Sequence, residues 1–210
     1  MLIDLHTHTS PNSDDSFLSP GQLIRKAKES RLDGICLTEH DWYWTNGAVA
    51  PLVKENDFLV IPGVEINTEV GHIVVFGVDE FKFGTHHISV LREELDKTGG
   101  FMILAHPYRH NFYSGDNIDE AIEKCCYNSV FKYVDTIEAL NGKANKRQNA
   151  FSLELAKQLG WKGTGGSDAH EMKDIPSCAT YFERKIRNRE ELIQELKAGR
   201  YKPVDLRTKS

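Results

Sequence analysis

A chain of 210 residues with 40% hydrophobic and 27% charged residues can build one well-cored domain and is too short for two comfortable ones. Its net charge of -5 excludes a basic nucleic-acid-binding surface as the organising feature, so an anionic substrate must be attracted by local cations. No apolar run is long enough to span a bilayer, and no basic-then-apolar signal sequence opens the chain, so the cytoplasm is the expected compartment.

The chain starts with an apolar run, Leu2 to Leu5, that predicts a short buried strand ending in His6-Thr7-His8. Residues i and i+2 of a strand share a face, so both imidazoles can aim at one point. A polar loop follows from Ser10 to Ser19, carrying Asp14 and Asp15. Ser19-Pro20-Gly21-Gln22 is a helix start: an N-cap serine, proline in the first turn, and glutamine closing a capping box. Gly34 to Thr38 predicts a second strand, ending in Glu39-His40-Asp41. A helix is expected over Gly47 to Glu55, with Pro51 near its start. Phe58 to Val64 predicts a third strand, ending in Glu65.

Ile66 to Val70 and Ile73 to Phe76, joined by Gly71-His72, predict a hairpin that returns His72 toward Glu65. A helix over Ile88 to Leu95 stops at Gly99-Gly100. The strand Phe101 to Ala105 ends in His106-Pro107, and an irregular loop from Tyr108 to Asp116 carries Arg109 and His110. Further on come a helix over Ile118 to Cys125, a strand over Val134 to Leu140 containing Glu138, and a long helix over Ala144 to Leu159. A short strand over Trp161 to Thr164 leads into Gly165-Gly166-Ser167-Asp168-Ala169-His170. The strand Ala179 to Phe182 and a helix from Asn188 complete the order, and the polar tail from Lys202 is expected to fray.

Strand and helix alternate, which predicts parallel strands with helical crossovers in an α/β fold. His6, His8, His40, Glu65, His106, Asp168 and His170 all fall at or just past strand ends. Those ends meet on one face only if the sheet closes, so a small barrel is expected. Nitrogen and carboxylate oxygen without thiolate suit zinc, manganese or iron. There are more candidate ligands than one ion uses, so two or three ions are expected, bridged by Glu65. Adjacent ions that hold a hydroxide nucleophile carry out phosphoester hydrolysis.

Together, His6-x-His8, Thr38-Glu39-His40-Asp41, Gly63-Val64-Glu65, His72, Ala105-His106-Pro107 and Gly166-Ser167-Asp168-Ala169-His170 resemble the motifs of the PHP (polymerase and histidinol phosphatase) family. The resemblance runs from Met1 to about Thr180. It implies a distorted, TIM-like barrel of about seven strand–helix units, (β/α)7, and a trinuclear metal site. It assigns metal ligation to His6, His8, Asp15, His40, Glu65, His72, His106, Asp168 and His170. Asp15 is chosen over Asp14 by its distance to Ser19-Pro20. Glu39 stands where aspartate is usual and is not assigned as a ligand.

The expected protein is a single domain over residues 1–210. It is a hydrolase of phosphoric esters, acting on a phosphorylated small molecule or a nucleotide, with no stable nucleic-acid complex and no membrane. Arg109 is expected to clamp phosphate with its planar fork of donors and to share catalysis with Glu65. His110 and Lys143 are further substrate-binding candidates. The alternatives are a metal-stabilised accessory domain without turnover and an amidohydrolase-like C–N hydrolase. The latter usually wants a lysine bridge, and no lysine lies at a strand end near Glu65.

Overall fold

The computed structural model describes residues 1–207, with His110 described by its backbone alone. The predicted capping box forms: Gln22 N donates to the Ser19 hydroxyl, and Ser19 N donates to the Gln22 side chain. It starts α1 (Pro20–Glu29), which buries Leu23, Ile24 and Ala27. These pack with Ile35, Leu37 and Val60 of the sheet below. Each of the leucine, isoleucine and valine side chains, taken from water to the core, contributes about 1.5–3 kcal/mol.

The first sheet has β1 (Leu2–Thr7) at its centre. β2 (Gly34–Leu37) and β3 (Leu59–Pro62) follow it in parallel. On the other side β9 (Cys178–Phe182) and β10 (Tyr201–Asp205) pair antiparallel, giving the order β10-β9-β1-β2-β3. The second sheet runs β4 (Val64–Thr68), β5 (Gly71–Phe76), β6 (Phe101–Leu104), β7 (Thr136–Asn141) and β8 (Thr164–Gly166). Its first three strands are antiparallel neighbours and its last three parallel. The other helices are α2 (Asn46–Asn56), α3 (Ile88–Thr98), α4 (Ile118–Cys125), α5 (Lys146–Gln158) and α6 (Arg189–Lys197); α2, α4 and α5 are crossovers between parallel strands, whereas α3 and α6 connect antiparallel neighbours. No helix among the described residues is long and apolar enough to cross a membrane.

The two sheets meet along two seams. At one, Asp168 N donates to His6 O at 2.8 Å and His8 N to Ala169 O at 3.1 Å. At the other, Glu65 N donates to Glu39 O at 3.0 Å and Asp41 N to Glu65 O at 2.9 Å. Ile3, Leu5, Ile61, Val74, Phe76 and Ile103 share one buried cluster drawn from both sheets. Strand ends therefore converge as the alternation predicts, but a closed (β/α)7 barrel is not detected among the described residues. At the seams the pairing thins to single bridges, Thr7 with Ala169 and His40 with Glu65, where the chain leaves the strands to present side chains.

Three sequence expectations change. Of the tail from Lys202, residues up to Asp205 are strand and residues 208–210 lie outside the described residues: Tyr201 is buried, and β10 pairs with β9 from Tyr201–Phe182 to Asp205–Cys178. Proline is tolerated in such an edge strand, which is why Pro203 does not end it. The run Phe58 to Val64 divides at Gly63 into two strands of different sheets. Pro51 lies well inside α2, beyond the first turn set by the Thr45 cap.

Candidate metal centre

Glu65 is the second residue of β4 and is 1% exposed. Its Oε1 lies 3.0 Å from His72 Nδ1, 3.0 Å from His106 Nε2 and 3.3 Å from His6 Nε2. Its Oε2 lies 2.9 Å from His40 Nδ1 and 3.3 Å from His8 Nε2. Five imidazoles surround one carboxylate. His72 arrives by the β4–β5 hairpin, in register with Asn67. His106 follows β6 with φ 30° and ψ 61°. A left-handed backbone just before Pro107 is disfavoured, at a cost of about 1–3 kcal/mol, and such strain gathers at functional sites.

Asp168 follows β8 in the left-handed region, φ 55°, which aspartate tolerates better than most residues. Its Oδ1 lies 3.5 Å from His8 Nε2, 3.7 Å from His170 Nδ1 and 3.8 Å from His6 Nε2. Asp15 reaches the rim from the loop after β1, with Oδ2 3.1 Å from His170 Nε2 and 3.5 Å from His40 Nε2. It is 57% exposed. Asp14 makes no ion pair among the described residues. All nine predicted ligand positions thus fall in one assembly, and Glu65 is at its middle.

The field inside this assembly favours a cation. Burial opposes charge on His6, but Glu65, Glu138 and Asp168 outweigh it and hold its pKa well above the ordinary value. Burial likewise opposes charge on Glu65 and Asp168, yet His6 and its neighbours hold both carboxyls well below the usual range. Burial depresses His8 to about 4 and also lowers His106, favouring the neutral ring that a ligand needs. His6 Nε2, His8 Nε2 and Glu65 Oε2 are buried without an aligned hydrogen bond. Four groups of three donors lie mutually within 4.8 Å: His6–His106–Asp168, His6–His8–Glu65, His8–His40–His170 and His40–Glu65–His72. These residues could hold several ions, and a nitrogen–oxygen donor set fits zinc, manganese or iron.

The PHP domain family model matches residues 4–145, and a model described as PHP-associated matches residues 146–201. This chain belongs to the PHP family. It is 24% identical over 203 residues to the uncharacterized protein MJ1295 of Methanocaldococcus jannaschii, covering 83% of this chain and 84% of that one. It is 36% identical over 89 residues to the 5'-3' exoribonuclease Rnm of Escherichia coli K12, covering 38% of this chain. That match spans only 28% of the exoribonuclease.

Among solved structures, a two-domain protein from Bacteroides vulgatus containing a predicted PHP-like metal-dependent phosphoesterase superposes with TM-score 0.69 at 21% identity, over 98% of this chain and 64% of that one. PsfC from Pseudomonas syringae gives 0.65 at 19% identity, over 97% and 91%. An amidohydrolase from Chromobacterium violaceum with bound sulfate gives 0.63 at 17% identity, over 97% and 98%. At these identities the likeness is one of fold.

The predicted substrate cations in this PHP chain are engaged with acids. Arg109 Nη2 donates to Asp168 Oδ2 at 2.5 Å. Lys143 Nζ donates at 2.6 Å to Asp174 Oδ2, which also accepts from His170 N. The His110 side chain lies outside the described residues.

The supporting groups were not readable as such. Glu39 is fully buried; it accepts from Thr9 N at 2.6 Å, Ser13 Oγ at 2.7 Å, Trp44 Nε1 at 3.1 Å and the Thr9 hydroxyl. Ser13 Oγ is also 3.2 Å from His8 Nδ1. Glu138, on β7, lies with Oε1 3.0 Å from His6 Nδ1. Asp4, its carboxyl pushed up to about 7 by burial, accepts from His6 N and Ser167 N. The one sequence signal for Glu138 is a carboxylate set between the apolar residues Ile137 and Ala139 of a strand.

Proposed function

We propose that residues 1–210 form one domain acting as a metal-dependent phosphoesterase on a small-molecule or nucleotide phosphomonoester. The observation that carries this reading is the set of five imidazoles on Glu65, drawn from four segments of chain. His6, His8, His40, His72, His106 and His170 would offer nitrogens, and Asp15, Glu65 and Asp168 oxygens, to two or three ions. Bound there, zinc, manganese or iron would supply Lewis acidity toward ester oxygens and lower the pKa of a water molecule. Glu65, with an oxygen toward each half of the assembly, is placed to bridge. Arg109 uses one donor on Asp168, and its guanidinium has further donors for phosphate oxygens.

The likeness to an exoribonuclease over 89 residues favours a nucleotide or an oligonucleotide end as a variant of this reading. A C–N hydrolase reading draws on the fold likeness to an amidohydrolase. Against it, no lysine is among the contacts of Glu65 in the described residues.

The test is phosphate release by manganese-reconstituted protein from histidinol phosphate, mononucleotides, bisphosphates and short oligonucleotides. Turnover that a chelator abolishes supports the reading. Fully metallated protein inactive on the whole panel would favour an accessory domain.

A further inference from the structure

Resting on the metal-centre reading, we infer that Asn141 is a positioning residue that organises one metal position, the one offered by His6, His106 and Asp168. Asn141 ends β7 and is 1% exposed. Its Oδ1 accepts from Lys143 N at 2.9 Å and from Tyr108 OH at 3.4 Å. A backbone N–H can only meet an oxygen, so the amide orientation is fixed. Nδ2 must then face the acids, and it donates to Glu138 Oε2 at 2.9 Å and to Asp168 Oδ2 at 3.2 Å.

Those two bonds reach all three members of the group. Asp168 is held directly. With Oδ2 on Asn141 and Arg109, it turns Oδ1 toward His6, His8 and His170. His106 is held through its backbone, whose N–H donates to Glu138 Oε2 at 2.9 Å. His6 is held through its ring. Glu138 Oε1 can only accept, so a metal-bound His6 would carry its one proton on Nδ1 and offer Nε2 to the ion. Among the described residues neither Asn141 nor Glu138 bonds His40 or His72; both rings meet Glu65, and His40 N donates to Ser13 Oγ.

Asn141 is itself clamped. Its N–H donates to Asn149 Oδ1 at 2.9 Å and its carbonyl accepts from Asn149 Nδ2 at 3.2 Å. Asn149 is buried on α5. That pair fixes the backbone of Asn141, and the side-chain amide is held between Lys143 N on one side and Glu138 and Asp168 on the other.

The experiment titrates metal-stripped wild type, Asn141→Ser and Glu138→Gln with cobalt(II), following the visible absorption band and metal content by elemental analysis. Serine is too short to reach either acid. Glutamine at 138 cuts the route to His6 at nearly constant shape and serves if Asn141→Ser does not fold. The expected result is that both variants lose the same band and the same single equivalent, or bind it about 10–100-fold more weakly, the usual cost of an outer partner. The remaining equivalents should bind as in wild type. Parallel weakening of every equivalent, or none, overturns the inference while leaving the metal centre standing. Wild-type protein that takes up no metal overturns both.

Discussion

Arg109 Nη2 and Asp168 Oδ2 are 2.5 Å apart, so the cation expected to clamp substrate also fixes a candidate ligand. Charge-assisted bonds of this kind are short and strong, and a guanidinium makes them with geometric specificity. Arg109→Ala should therefore lower metal retention as well as reduce kcat/KM by about tenfold or more. Arg109→Lys should recover part of each. Kinetics on the best substrate of the screen, with metal content measured on the same samples, checks this. Wild-type values for both would return Arg109 to the solvated surface.

Asp15 and Asp14 are adjacent but differ in partners. Asp15 alone reaches His170 and His40. Asp15→Ala should lower metal content or turnover far more than Asp14→Ala. Equal losses would mean that both act only as turn formers.

Glu65→Gln changes charge at almost constant volume in a site where five imidazoles face one carboxylate. The fold should persist, shown by an unchanged circular dichroism spectrum. Turnover should fall by about 100-fold or more, beyond what losing an outer partner costs. Retained turnover would remove Glu65 from the bridging role.

Two glycines permit close approach beneath the centre. A Cβ on Gly166 would stand 2.5 Å from His6 Cβ and 2.7 Å from Glu138 Oε1. One on Gly142 would collide with the Ser167 carbonyl oxygen and the Ser177 hydroxyl. Gly166→Ala and Gly142→Ala should each destabilise the fold by about 1–3 kcal/mol, as overpacking does, read from urea denaturation. Gly166→Ala should in addition displace His6 and Glu138 and so lower metal uptake. Unchanged denaturation midpoints would mean that the neighbouring backbone yields freely.

The site was more legible than the sheet. His6, His40, Glu65, His106 and Asp168 each fall at or just past the end of a predicted strand, so strand direction puts them on one face. Glu138 and Asn141 end or interrupt a strand in the same way, but their partners include His6 on β1 and residues just after β6 and β8. Such pairings depend on how strands assemble, which no local pattern carries. The same limit hid β10. Lys202-Pro203 is a poor strand by composition, and it becomes one because β9 offers a free edge beside the buried Tyr201. Arg109 and Lys143 were legible as cations at the right face, but not as partners of Asp168 and Asp174.

The central claim is that the convergence on Glu65 is a multinuclear metal centre. Elemental analysis of gently purified protein, repeated after reconstitution with manganese and with zinc, tests it most directly. The account predicts two or three transition-metal ions per chain, filling the donor groups around Glu65. Fewer than about one equivalent, with no uptake on reconstitution, would contradict it.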